Sequence, residues 1–149
     1  MNIKQEIKQK GFRNEYQKAL INMLYTHNFL KGKMSDTFKK FDITRQQFNV
    51  LRILRGQHPK PVTINTIKDR MLDKMSDASR IVIRLKKKNL INSQQGKCDR
   101  RSTEVNITTQ GLNLLKNMDS NVEDFDDLFS NLTNSEAKTL NTLLDKIRG

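Results

Sequence analysis

A chain of 149 residues, 35% hydrophobic and 30% charged, is long enough for one ordinary core but too polar for a large one. A single cysteine excludes an internal disulfide framework, and no apolar run approaches membrane-spanning length, so the protein is expected in the cytoplasm with no membrane partner. The formal charge of +12 is unevenly spread: residues 59–101 hold 12 basic and 4 acidic side chains, residues 102–149 hold 4 and 8. Positive charge packed into one segment points to a polyanion-binding surface more than to a generally solvated exterior.

Met1–Lys10 alternates polar and apolar residues and does not read as a signal peptide. A first helix is expected from about Phe12 to Lys40, with a looser lead-in from Ile3. Phe12, Tyr16, Leu20, Met23, His27 and Leu30 recur at helical spacing, and Gly32 predicts a bend. Its stripe is longer than one small domain can cover, so part of it should meet another chain. Thr44-Arg45-Gln46-Gln47 is a capping box that opens a second helix with Phe48, Leu51 and Leu54 inward, ending at Gly56. Pro59-Lys60-Pro61 forces an extended connection, after which Val62 can pair as a minimal strand. Thr63 caps a third helix with Ile64, Ile67 and Met71 or Leu72 inward.

Ser76 is expected to cap a fourth helix, Asp77 to Lys88, that buries Ile81, Val82 and Leu85 and exposes Ser79, Arg80, Ile83 and Arg84. Lys86-Lys87-Lys88 fill its last turn, and Asn89 sits where a left-handed residue closes a helix, with Leu90 folding back. Leu90–Gln94 and Ser102–Ile107 read as a hairpin, its loop carrying Lys97, Arg100 and Arg101. Thr108 then caps a fifth helix expected to continue for about six turns through Leu112, Leu115, Met118, Val122, Phe125, Leu128 and Leu132. Thr133-Asn134-Ser135-Glu136 is a second capping box, before a helix with Leu140, Leu143, Leu144 and Ile147 on one side. The fold class is mainly α (α+β): a winged helix-turn-helix with a small β-hairpin wing between N- and C-terminal dimerisation helices. Its segments would be residues 1–42, 43–107 and 108–149, with no true linker.

Several pieces together carry a resemblance. They are Ile43-Thr44, Ser76 with Ser79-Arg80, Asn89-Leu90-Ile91, Asp99-Arg100-Arg101 and Ile107-Thr108-Thr109-Gln110-Gly111. The chain resembles the MarR family of bacterial transcription regulators over essentially its whole length. Asn89 stands where the family usually has glycine and Ser79 where it usually has threonine. The resemblance implies a homodimer on double-stranded, pseudo-palindromic operator DNA, usually a repressor relieved by a small-molecule effector or an oxidant. It also implies that Asp99 braces a wing arginine, Arg101 or Arg100, that enters the minor groove, where a narrow groove concentrates negative potential. The expected DNA-binding residues are Ser76, Asp77, Ser79, Arg80, Arg84, Lys86, Lys97, Asp99, Arg100 and Arg101.

Other chemistry finds less support. Cys98 lies among wing cations that could make it reactive, but an incidental loop cysteine is the simpler reading. His27 and His58 with one cysteine make no zinc spacing, so no metal is expected. No phosphate loop or nucleophile elbow is present, and Glu123-Asp124-Asp126-Asp127 reads as a solvated helix face; no enzyme activity and no cofactor are expected. Tyr16, Tyr25 and His27 are candidates for lining an effector pocket. The rival reading is a winged-helix module for RNA or protein assembly, which the lack of aromatics on the fourth helix disfavours.

Overall fold

The computed structural model describes residues 1–149, and the chain falls into two compact units, residues 1–36 and 37–149. In the first, Asn2 caps a single turn, α1 (Ile3–Glu6), in a reciprocal capping box with Gln5. The long helix α2 (Glu15–Lys40) follows and passes through Gly32 without a break. Its apolar stripe is open: Tyr16 is 87% exposed, and Leu20, Leu24, Tyr25 and Phe29 are also exposed. Tyr25 Oη donates to a Glu6 carboxylate oxygen at 3.0 Å. That hydrogen bond, ahead of desolvation and the carboxylate's charge, raises the phenol above its ordinary value.

The second unit is built on α3 (Arg45–Gln57), α4 (Ile64–Arg70), α5 (Ala78–Lys87) and α6 (Thr109–Glu123), with strands β1 (Val62–Thr63), β2 (Ile91–Gln95) and β3 (Thr103–Ile107). The strands form an antiparallel sheet in the order β1-β3-β2, with Val62 opposite Val105 and Ile91 opposite Ile107. The core is contiguous: Val50, Leu51 and Leu54 of α3 meet Ile67, Val82 and Leu85, closed by Val105, Leu115 and Met118, all at most 3% exposed. The Thr44–Gln47 capping box forms as expected, and Gln47 is buried because its side chain is spent on the Thr44 amide at 3.1 Å. Met71, at 2% exposure, rather than Leu72, at 84%, completes the inner face of α4.

Two helix ends are closed in the same way. After α5, Asn89 takes φ +59°, its amide reaches Lys86 O at 3.0 Å, and Leu90 N reaches Leu85 O at 3.2 Å. This is the Schellman motif anticipated from Asn89, with Leu90 as its buried closing contact. After α2, Asp42 at φ +54° and the buried Ile43 repeat it, a closure that the sequence reading did not single out.

The expected six-turn fifth helix is shorter. α6 ends at Glu123, and Asp124–Phe129 winds as a 3-10 turn. Three aspartates within six residues oppose a longer α-helix, because aspartate has low helix propensity and neighbouring like charges repel. The tighter winding brings Phe125 to 5.9 Å from Phe38, which also stacks at 5.2 Å on Phe48. The final helix, α7 (Asn134–Arg148), starts at the expected Thr133–Glu136 box. The Thr133 amide, then its hydroxyl, donate to Glu136 and hold that carboxyl below its usual value. Leu140, Leu143 and Ile147 remain exposed at 37%, 53% and 63%.

Candidate nucleic-acid interface

The helix-turn-helix is α4, the turn 71–77 and α5. Asn49 of α3 accepts from the Leu72 amide at 2.9 Å, and Asp73 accepts from the Met75 amide at 3.0 Å, so the turn is held by short polar side chains. The expected cap of the fourth helix is corrected by one residue. Asp77, not Ser76, caps α5, its carboxylate accepting from Arg80 N at 3.1 Å. A carboxylate is an acceptor with full charge, and it wins this position at the positive end of the helix. Ser76 Oγ is enclosed and has no hydrogen-bond partner.

With Ala78, Val82 and Leu85 buried, α5 turns Ser79, Arg80, Ile83, Arg84, Lys86 and Lys87 outward. The ion pairs of the protein are Lys18–Glu15, Arg55–Asp119, Lys88–Asp42 and Arg148–Asp145. Arg80, Arg84, Lys97, Arg100 and Arg101 are in none of them, so their charge is available to an external anion. The three lysines at the end of α5 divide their work. Lys86 Nζ donates to Ser93 Oγ of β2 at 3.0 Å, tying the helix to the wing. Lys88 turns back to Asp42, bonding its backbone carbonyl and lying 3.6 Å from its carboxylate. Lys87 is exposed. The Lys88–Asp42 link had no signal in the sequence, since nothing local says which residue a lysine 46 positions away will reach.

The wing loop, residues 96–102, is held by backbone and side-chain hydrogen bonds to its own carbonyls. Gly96 N donates to Ser102 O at 2.9 Å, Ser102 Oγ to Asp99 O at 2.8 Å, and Gln95 Nε2 to Arg100 O at 2.6 Å. A side chain at Gly96 would run into Ser102 Oγ and the Asp99 carbonyl, so glycine is required there. Asp99 Oδ1 accepts from the Arg101 backbone amide at 2.9 Å and pairs with no guanidinium. Its bracing is therefore of the chain that carries Arg101, through an Asx turn. This makes a prediction that separates charge from shape. Asp99→Asn keeps the acceptor and should bind DNA as well as or better than the natural chain, having shed one charge near phosphate. Asp99→Ala should lose roughly tenfold in a mobility-shift titration. Equal losses in both variants would show that the carboxylate's charge is what matters. Cys98 is exposed at the same tip, and no three histidine, cysteine or carboxylate side chains gather into a metal-ligating group. No helix is long and apolar enough to cross a membrane.

A buried-core helix-turn-helix with an unpaired cationic outer face, followed by a braced basic hairpin, defines a winged helix-turn-helix DNA-binding protein. The MarR family sequence profile matches residues 43–103, from just before α3 to the start of β3. The chain is 29% identical over 133 residues to the HTH-type transcriptional repressor IacR of Pseudomonas putida, covering 89% of this chain and 75% of that one. It is 28% identical over 110 residues to the HTH-type transcriptional regulator MgrA of Staphylococcus aureus, covering 74% and 73%. Its fold superposes with a TM-score of 0.76 on a MarR mutant from E. coli complexed with operator DNA, at 26% identity over 87% of this chain and 93% of that one. Residues 43–103 thus carry a MarR family domain, and the chain is a DNA-binding transcription regulator.

Proposed function

We propose that this regulator is a sequence-specific repressor that acts as a homodimer on a pseudo-palindromic operator. The observation that carries the reading is the outer face of α5, where Arg80 and Arg84 have no acidic partner beside a wing whose arginines are equally free. In this reading α5 enters the major groove. Ser79, Arg80 and Arg84 meet bases or phosphates there, and Asp77 aims the first turn. Lys86 and Lys97 contribute charge, and Arg101 or Arg100 enters the minor groove on the turn braced by Asp99. Ser76 contributes through the shape of the turn, since its hydroxyl is enclosed.

Residues 1–42 and 108–149 supply the dimer contacts around the DNA-binding lobe, 43–107. Exposed Leu140, Leu143 and Ile147 support this, because an apolar stripe of that length is unfavourable in water. Two copies of α5 would then lie roughly 34 Å apart, the repeat of successive major grooves. A small-molecule effector would act by changing that separation, and the site of action is the cytoplasm.

Footprinting on the DNA flanking the gene tests the reading. A protected inverted repeat with half-sites one helical turn apart, and a dimer at micromolar concentration by sedimentation, are the expected results. Protection displaced equally well by RNA as by duplex DNA would favour the RNA-binding alternative, and a monomer would remove the two-half-site geometry.

A further inference from the structure

Among the outward residues of α5 one is apolar. Ile83 is 56% exposed, whereas Ala78, Val82 and Leu85 on the opposite side are 1%, 3% and 0% exposed. It lies three residues after Arg80 and four before Lys87, so the three share one strip of the helix, flanked by Ser79 and Arg84. The other large exposed apolar side chains nearby in sequence, Leu72 and Met75, belong to the preceding turn and not to this strip. As a β-branched residue in a helix, Ile83 is confined almost to one χ1 rotamer, so its methyl groups are presented at a fixed place.

Beside their donors and acceptors, the major-groove edges of the bases present one methyl group, the C5-methyl of thymine. An isoleucine pressed on a cytosine amino group or a purine acceptor strips water from it and returns no hydrogen bond, which disfavours those bases. Against a thymine methyl the same contact removes apolar surface from water on both sides. We propose that Ile83 is a base-reading residue that packs on the C5-methyl of one thymine in each half-site, setting an A·T preference between the positions reached by Arg80 and Arg84. The inference rests on α5 being the major-groove helix, and it assigns to a side chain without charge a share of the specificity.

The test uses the full-length protein and a duplex it selects from a random pool. Each thymine of the selected site is replaced in turn by uracil, which deletes only the methyl group, and affinities are measured at fixed salt for the natural chain and for Ile83→Ala. At one thymine per half-site, uracil should weaken the natural chain by about fourfold and leave Ile83→Ala unaffected, the loss expected for one buried methyl. A uracil penalty that is the same in both proteins at every position, or absent from both, overturns the assignment. Arg80→Ala and Arg84→Ala are run beside it. If they too bind unchanged, the placement of α5 in the groove fails; if they lose affinity while the uracil penalty ignores Ile83, only the thymine assignment fails. Ile83 is on the surface, so Ile83→Ala should melt with the natural chain, and circular dichroism confirms that each comparison is between folded proteins.

Discussion

With Arg80 and Arg84 both replaced by alanine, the protein is expected to bind its operator about a thousandfold or more weakly at fixed salt, yet melt at an unchanged temperature. Each arginine that contacts a base or phosphate contributes on the order of 1–3 kcal/mol, and a dimer would lose each contact twice. Neither side chain holds the fold together: both are exposed, and neither takes part in an ion pair or a side-chain hydrogen bond within the protein. The dependence of binding on salt gives a second reading of the same variants. For every phosphate contact removed, the slope of log affinity against log salt should flatten by about one. A loss of affinity with an unchanged slope marks base contacts, and a loss that shrinks as salt rises marks phosphate contacts. Full binding by the double variant would place the DNA on another face of the molecule.

Gly111→Ala should cost the fold roughly 2 kcal/mol and lower the melting temperature by about 6 °C. In an open helix this change would stabilise by about 1 kcal/mol, because glycine loses more backbone entropy than alanine. The position is not open. A Cβ at Gly111 would lie 2.7 Å from Ile107 Cγ1 and would collide with the Leu90 carbonyl oxygen. That oxygen accepts from Thr108 N at 3.0 Å, while Thr108 Oγ1 donates to Asn89 O at 2.8 Å and caps Gly111 N at 3.0 Å. The carbonyl cannot retreat without breaking the junction between the end of α5 and the start of α6. An overpacking cost near 3 kcal/mol therefore exceeds the helix gain. A urea titration reads the difference directly, and a variant as stable as the natural chain would mean that the two segments can slide apart freely. This junction also gives the Thr108-Thr109-Gln110-Gly111 motif a physical meaning: a threonine that ties two elements together, and a glycine that lets them approach.

The features of the chain that could be read in advance share one property, which is that a few neighbouring residues decide them. Thr44 with Gln47 and Thr133 with Glu136 satisfy amides within their own first turn, so both helix starts follow from four residues each. Asn89 before an apolar Leu90 is equally local, and the Schellman closure is present. The alternation of Thr103, Val105 and Ile107 is a property of one strand, with Val105 and Ile107 buried. Where two local solutions compete, the reading slipped. Ser76 and Asp77 are both good caps, and the choice between them turns on how the 71–77 turn enters α5. The apolar spacing from Leu112 to Leu132 suits a helix throughout, yet the Asp124–Phe129 segment winds more tightly.

The sequence by itself determined that this is a basic, mostly helical chain with its positive charge concentrated in residues 59–101, because charge placement, caps and periodicity are carried by residues close together. Only the tertiary structure decided that Asp99 grips the Arg101 backbone, that Lys88 is drawn to Asp42 while Lys86 holds Ser93, and that Phe125 joins Phe38 and Phe48. Each of these depends on where an atom lies in space, and the Lys88–Asp42 and Phe125–Phe38 contacts join residues far apart along the chain. Spacing along the chain can rank which partners are available to a side chain, but the packing of the helices selects the one it meets.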